Sequence, residues 1–172
     1  MSITAKNIKG SGISPDMVIF CDMKATDNQG GEFATGDWRV RELNTILYSK
    51  QTNSNWFTLT SNNNTFTLQP GTYYINARAP AYRVNNNNAL LRDTSNNVDV
   101  IDGTATYSYS VNTMCHSYSR IIGVVEITSA TNYQIWHRCT VTKTVNGFGV
   151  GDQHYGTDTN NIYTYAEIMK LE

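Results

Sequence analysis

Charge, cysteine and long apolar runs are all in short supply. Only 16% of the 172 residues are charged, and thirteen basic against fourteen acidic side chains leave a net charge of −1. A chain this close to neutrality has no electrostatic footprint for nucleic acid and no basic patch for an anionic membrane. The three cysteines, Cys21, Cys115 and Cys139, are odd in number, widely spaced and lack a C-x-x-C pair. They read as free, buried thiols in a reducing compartment rather than as a structural zinc site. No run of about 18 apolar residues exists to cross a membrane as a helix. Residues 1–16, MSITAKNIKGSGISPD, hold no apolar segment of the secretory kind. The expectation is synthesis in a cytoplasm, with any exit by lysis or assembly. No segment of ten or more residues repeats its apolar side chains at the helical period. What fills the chain instead is neutral polarity, with 20 Asn and 22 Thr beside 11 Tyr. Asn favours turns, and Thr and Tyr favour strands, so the composition points to an all-β protein. At about 100–200 residues per domain, one domain is expected, long enough to bury a core without staples.

Residues 1–16 carry Ile3, Ile8 and Ile13 at a five-residue spacing that fits neither helix nor strand. They read as an extended N-terminal arm, leaving 17–172 as a single domain. Met17-Val18-Ile19-Phe20-Cys21-Asp22-Met23 is a short apolar run that reads as a strand buried on both faces, and residues 38–48 are extended with a break near Asn44. The turn Gln69-Pro70-Gly71 leads into a regular strand in which Tyr73, Ile75, Ala77 and Ala79 share one face. Residues 84–88, with four consecutive Asn, read as a loop, and Asp102-Gly103 as a hairpin turn. Two long strands follow over 116–128 and 133–141, then a glycine-rich loop over 146–156 and a closing strand over 162–171. About ten short strands with regular turn signals describe an all-β sandwich.

The chemical candidates are few. His137 is in phase with Ile135 and Cys139 and reads as a buried histidine with its polar needs met. Cys115 and His116 are adjacent, so in a strand they point to opposite faces and cannot form a nucleophile pair. Asp93, Asn96, Asp99 and Asp102 could hold calcium but lack the ligand spacing of a calcium loop and read better as turn formers, and Asp152, His154 and Asp158 in the glycine-rich loop are a further metal candidate. No G-x-S-x-G motif occurs. The chain is expected not to be an enzyme and to need no metal or cofactor. Tyr82, Tyr107, Tyr109, Tyr118 and Tyr155 could stack on sugars, or simply pack.

The order Phe66-Thr67-Leu68-Gln69-Pro70-Gly71-Thr72-Tyr73-Tyr74-Ile75 resembles the core motif of the tumour necrosis factor and complement globular-head jelly rolls. The closing strand, Tyr163-Thr164-Tyr165-Ala166-Glu167-Ile168-Met169-Lys170-Leu171, is similar to the last strand of that family. Residues 121–127, a short turn and 133–139 match its penultimate hairpin. Upstream, Gly36-Asp37-Trp38-Arg39-Val40-Arg41-Glu42-Leu43-Asn44 resembles a segment of the bacteriophage versions. The resemblance implies a jelly-roll β-sandwich of about ten strands that assembles as a homotrimer. For phage members it implies a virion structural protein.

Residue patterning gives the trimer a physical motive. Strands 121–127 and 163–171 carry large apolar residues on both faces, whereas a solitary sandwich buries one face of each strand. A neighbouring copy would cover the second face; the alternative is cover by a loop such as 146–156. The residues expected at the trimer interface are Tyr74, Ile122, Val124, Trp136, Tyr163, Tyr165 and Met169. The function expected is a capsid decoration (cement) protein on the outer surface of the virion, synthesised in the host cytoplasm. It would touch the major capsid protein through Ile3, Ile8 and Ile13 and through Trp38, Arg39 and Arg41. The alternative is a receptor- or glycan-binding head of a tail or head fibre.

Overall fold

The computed structural model describes residues 15–52, 54–111, 115–151 and 160–172. Twelve strands are formed among them: β1 (Met17–Ala25), β2 (Arg39–Val40), β3 (Thr45–Lys50), β4 (Phe57–Thr60), β5 (Thr65–Leu68), β6 (Gly71–Tyr82), β7 (Asn85–Asp93), β8 (Val98–Asp102), β9 (Thr106–Ser108), β10 (His116–Ile127), β11 (Thr131–Cys139) and β12 (Asn160–Lys170). The one helical element among the described residues is a single 3₁₀ turn, Ser61–Asn63, closed by Asn64 in the left-handed conformation. The strands make two antiparallel sheets, ordered β10-β6-β12-β1-β3 and β4-β5-β11-β7-β8, with β2 added on β11 and β9 on β7. This is the expected all-β jelly-roll sandwich.

Alternation places the core. Along β6, Tyr73, Ile75, Ala77 and Ala79 are buried, while Arg78 between them is exposed. Along β10, Ile121, Val125 and Ile127 are buried, while Ile122 and Val124 are exposed. The inward residues of both sheets meet in one cluster containing Phe20, Trp56, Phe57, Phe66, Tyr73, Ile75, Leu91, Ile121, Ile135 and Ile168. Phe20 packs its ring 4.9 Å from Phe57 and 5.1 Å from Phe66, and Phe66 stacks 5.6 Å from Tyr133. These separations lie in the range where tilted and offset aromatic pairs attract. A smaller cluster of Phe33, Ala81, Val84 and Cys139, with Phe148 against it, fills the end near the glycine-rich loop.

Three sequence readings give way here. Residues 121–127 and 133–139 form no hairpin, because β10 pairs with β6 in one sheet and β11 with β5, β7 and β2 in the other. Residues 85–88 form the start of β7 instead of a loop. The amide of Asn87 donates to the Asn85 carbonyl and to Ser117 Oγ, and its Oδ1 accepts from Thr106 Oγ1 at 2.8 Å. A polar side chain so fully satisfied can be buried within a strand. Nor does Asp102-Gly103 close a hairpin: β8 and β9 both pair with β7, at residues 90–93 and 85–87. Gly103 donates its N–H to Ala89 O at 2.8 Å, and a Cβ there would lie 2.5 Å from that oxygen. Glycine is required at the junction by close backbone approach and not by a reversal of direction.

Candidate functional site

Register lines up the residues of the five-stranded sheet in rows. Val124, Tyr74, Met169, Met17 and Lys50 occupy one row across β10, β6, β12, β1 and β3. Ile122, Asn76, Glu167, Ile19 and Tyr48 form the next, and Arg120, Arg78, Tyr165, Cys21 and Thr45 the third. Val124 is 59% exposed and Ile122 45%. Five of the seven residues expected at a trimer interface, Tyr74, Ile122, Val124, Tyr165 and Met169, therefore share one face. Single exposed apolar residues are ordinary on a protein surface, and here the exposed pair Val124 and Ile122 lies among the polar Asn76, Glu167, Arg78 and Arg120 of these rows.

The other two lie elsewhere. Tyr163 is buried within the chain, because strict alternation fails at a β-bulge where Tyr163 and Thr164 together oppose Asp22. The Tyr163 hydroxyl donates to Asn28 O at 2.5 Å, and a Cβ on Gly149 would meet the Tyr163 ring at 2.5 Å. Burial pushes the Tyr163 phenol up to about 12. Trp136 belongs to β11 in the other sheet, pairing with Val40 and Leu90. Its indole N–H donates to Gln134 Oε1 at 2.8 Å, and the Arg92 guanidinium lies 5.1 Å from its ring. Loop cover is local: the backbone at Gly147 accepts from the Tyr82 N–H, and Gly149 sits over Pro80 and Tyr163. The side chains of Val124 and Ile122 stay open to solvent.

The expected capsid-contact residues are scattered. Ile3, Ile8 and Ile13 lie outside the described residues. Trp38 is half-buried with the Arg138 guanidinium 4.7 Å from its ring, and Arg39 is exposed, its Nε donating to Ala34 O at 3.3 Å. Beside them lies a shallow cavity of about 440 Å³ lined by Thr35, Gly36, Asp37, Trp38, Arg138 and Thr140. Arg41 is no surface residue: it is completely buried. Its Nε donates to Thr164 Oγ1 at 2.6 Å and its Nη2 to Phe148 O at 3.0 Å, with the guanidinium 3.9 Å over the Phe148 ring. Burial lowers its pKa to about 9, opposed by the charges of Asp22 and Glu42, so it stays a cation at neutral pH. Asp22 is itself buried and lies 3.3 Å from Lys24 Nζ, which also pairs with Glu42. Sequence spacing puts Arg41 in an extended polar segment and gives no sign of this buried network.

His137 is fully buried, its Nε2 3.1 Å from Asn87 Oδ1 and its ring 4.6 Å from Phe33. Burial drives its pKa well below the usual histidine value, and the nearby Arg41 charge pushes the same way. His116 lies against Tyr82 at 4.8 Å, and His154 is outside the described residues. Cys21 and Cys139 are buried, and burial pushes both thiols up to about 11. Neither is poised as a thiolate nucleophile at neutral pH. Asp93 caps its own turn, accepting from the Asn96 backbone N–H at 2.9 Å, and Asp99 pairs with Arg92. Asp152 and Asp158 lie outside the described residues, as does Tyr155. Among the described residues no three His, Cys, Asp or Glu side chains converge on a metal position. Tyr107 and Tyr109 are about half exposed, with ring centroids 6.3 Å apart.

Fold and register together define a jelly-roll sandwich whose five-stranded sheet turns Val124 and Ile122 to solvent beside Asn76, Glu167, Arg78 and Arg120. No protein-family model matches the sequence, and no curated protein matches it. Among solved structures, the chain is similar to murine APRIL at pH 5.0, with a TM-score of 0.57 and 7% identity over 91% of this chain and 99% of that one. It is also similar to the globular domain of zebrafish complement 1qA protein, with a TM-score of 0.53 and 12% identity over 92% and 98% of the two chains. Eiger TNF from S. frugiperda gives a TM-score of 0.53 and 11% identity over 92% and 94%. At these identities the likeness carries the fold: a tumour necrosis factor-like and complement-head-like jelly roll.

Proposed function

We propose that this chain is the head of a homotrimeric virion structural protein, a capsid decoration (cement) protein on the outer surface of a phage head. The observation that carries the assembly is the sheet face on which exposed Val124 and Ile122 lie beside half-buried Tyr74 and Met169. Each buried apolar square ångström is worth about 25 cal/mol, so covering such a face favours association. The decoration role rests on the resemblance of residues 36–44 to phage heads and on the distribution of surfaces. Trp38 precedes β2 and Arg39 lies on it, and β2 joins the second sheet, away from the self-association face, so both remain available to a shell. Three copies presenting them together gain avidity from a high effective concentration after the first contact. The partner is then the major capsid protein.

Two measurements test this reading. Light scattering on the purified chain should give about three times 19.3 kDa. Incubation with expanded phage shells, followed by sedimentation, should pellet the wild type and leave a Trp38→Ala/Arg39→Ala variant in the supernatant. A monomeric mass removes the assembly; equal pelleting of both proteins removes the Trp38–Arg39 contact. A second reading, a glycan-binding head, is favoured by the exposed Tyr107–Tyr109 pair, whose faces suit sugar stacking. Saturable binding on a glycan array, lost in Tyr107→Ala, supports it.

A further inference from the structure

One end of the open sheet face differs chemically from the rest. Arg78 on β6 and Arg120 on β10 sit directly opposite each other in register. Like charges placed so oppose folding unless something offsets them. Among the described residues neither guanidinium has a carboxylate partner within salt-bridge distance: the ion pairs there are Lys24–Asp22, Lys24–Glu42 and Arg92–Asp99. Arg120 reaches the Asn76 amide oxygen, Nη2 to Oδ1 at 3.4 Å. Arg78 lies between two rings, its Cζ 5.2 Å from the centroid of Tyr165 and 5.7 Å from that of Tyr118. Stacking of this kind orients a planar guanidinium while leaving its N–H donors free. The two arginines, the two tyrosines, Asn76 and Ala77 line a cavity of about 570 Å³. That is within the usual size range for small-ligand sites, about 300–1,000 Å³.

We propose that the Arg78–Arg120 pocket binds a small oxyanion, a carboxylate or a phosphoryl or sulfuryl group, held by the two guanidinium forks between the Tyr118 and Tyr165 rings. Bidentate pairing with arginine suits both oxyanion classes, and bringing an anion between two unpaired cations removes their mutual repulsion. The pocket is complete within one chain, so the proposal goes beyond the assembly reading and does not depend on it. The pocket lies on the same sheet face as Val124 and Met169 and adjoins it through Asn76, which shares a row with Ile122 and Glu167.

The test is isothermal titration of the full chain with inorganic phosphate and, separately, with citrate, at ionic strength matched with sodium chloride. Saturable binding of at least one probe to the wild type is expected. Arg78→Gln and Arg120→Gln should each weaken it at least tenfold, and Arg78→Lys, which keeps the charge but loses the fork, should fall between. Both arginines are exposed, so thermal melts of the variants should stay close to the wild type. Which probe binds distinguishes a phosphoryl from a carboxylate ligand. No saturable binding of either, or equal binding by wild type and both Gln variants, overturns the proposal. The same titration on Val124→Asp/Met169→Asp separates it from assembly. Binding by that variant alone would mean a neighbouring copy fills the pocket, and would also overturn it. Light scattering reports the oligomer independently.

Discussion

His137 is neutral because nothing around it rewards a charge. Its Nε2 faces Asn87 Oδ1, whose orientation is fixed by the two donations from the Asn87 amide, so the ring proton sits on Nε2 and Nδ1 is bare. Burial and the Arg41 charge hold its folded-state pKa well below the unfolded value near 6.5. Below about pH 6.5 the unfolded chain takes up this proton and the folded chain does not, so stability is full above that pH and falls as pH drops. The slope from one such group is at most about 1.4 kcal/mol per pH unit. Chemical denaturation at pH 7, 6 and 5 should show that loss. A His137→Gln variant should be less stable by about 1–2 kcal/mol at pH 7, yet show a shallower decline. An unchanged slope would remove His137 as the group responsible. Arg41 is the opposite case, a buried charge held by carbonyl and hydroxyl acceptors and an aromatic ring. Arg41→Lys keeps the charge but cannot reproduce this planar set of donors, and should lower stability by about 2–4 kcal/mol in equilibrium unfolding. A loss under about 1 kcal/mol would mean that lysine finds equivalent partners.

Where strands meet, local exceptions to alternation decide what a side chain can do. Tyr163 shares sequence parity with Tyr165 and Met169, so alternation assigns all three to one face. The bulge opposite Asp22 and the cover from Gly149 take Tyr163 off it. A bulge depends on the pairing of β12 with β1, about 140 residues away in the chain, and so leaves no mark on the local pattern. The same holds for Gly103, whose need for glycine comes from the distant Ala89 carbonyl. Gly103→Ala should therefore cost on the order of 2–3 kcal/mol, because backbone and not a flexible side chain stands in the way. Gly36 has a positive φ of 100° but open space for a Cβ, so Gly36→Ala should cost only about 1 kcal/mol. Thermal unfolding of the two variants side by side checks the order; equal losses would mean the 100–106 connection yields freely.

Over the whole molecule, the fold was legible because two-residue periodicity and turn chemistry are local signals repeated in many strands. Ile75, Ile121 and Ile168 reach the core from alternating strands, and Val18 and Phe20 reach it from the continuous apolar run at 17–23. The site was legible in part, since outward phase along β6, β10 and β12 identifies Tyr74, Ile122, Val124 and Met169, but not which sheet holds Trp136 or that Arg41 turns inward. Register between strands supplies what phase lacks, and it leads to the largest test. If the row of Val124, Tyr74, Met169 and Met17 is covered by a neighbouring copy, charge placed there is desolvated on association and paired with like charge from its neighbours. Val124→Asp/Met169→Asp should then reduce the mass in light scattering to about 19.3 kDa while the far-ultraviolet circular dichroism stays that of a β-sandwich. Assembly also stabilises by mass action, so the wild-type melting temperature should rise with protein concentration and that of the variant should not. A wild-type melting temperature independent of concentration, together with a single-chain mass, would mean that this face meets water or a different partner.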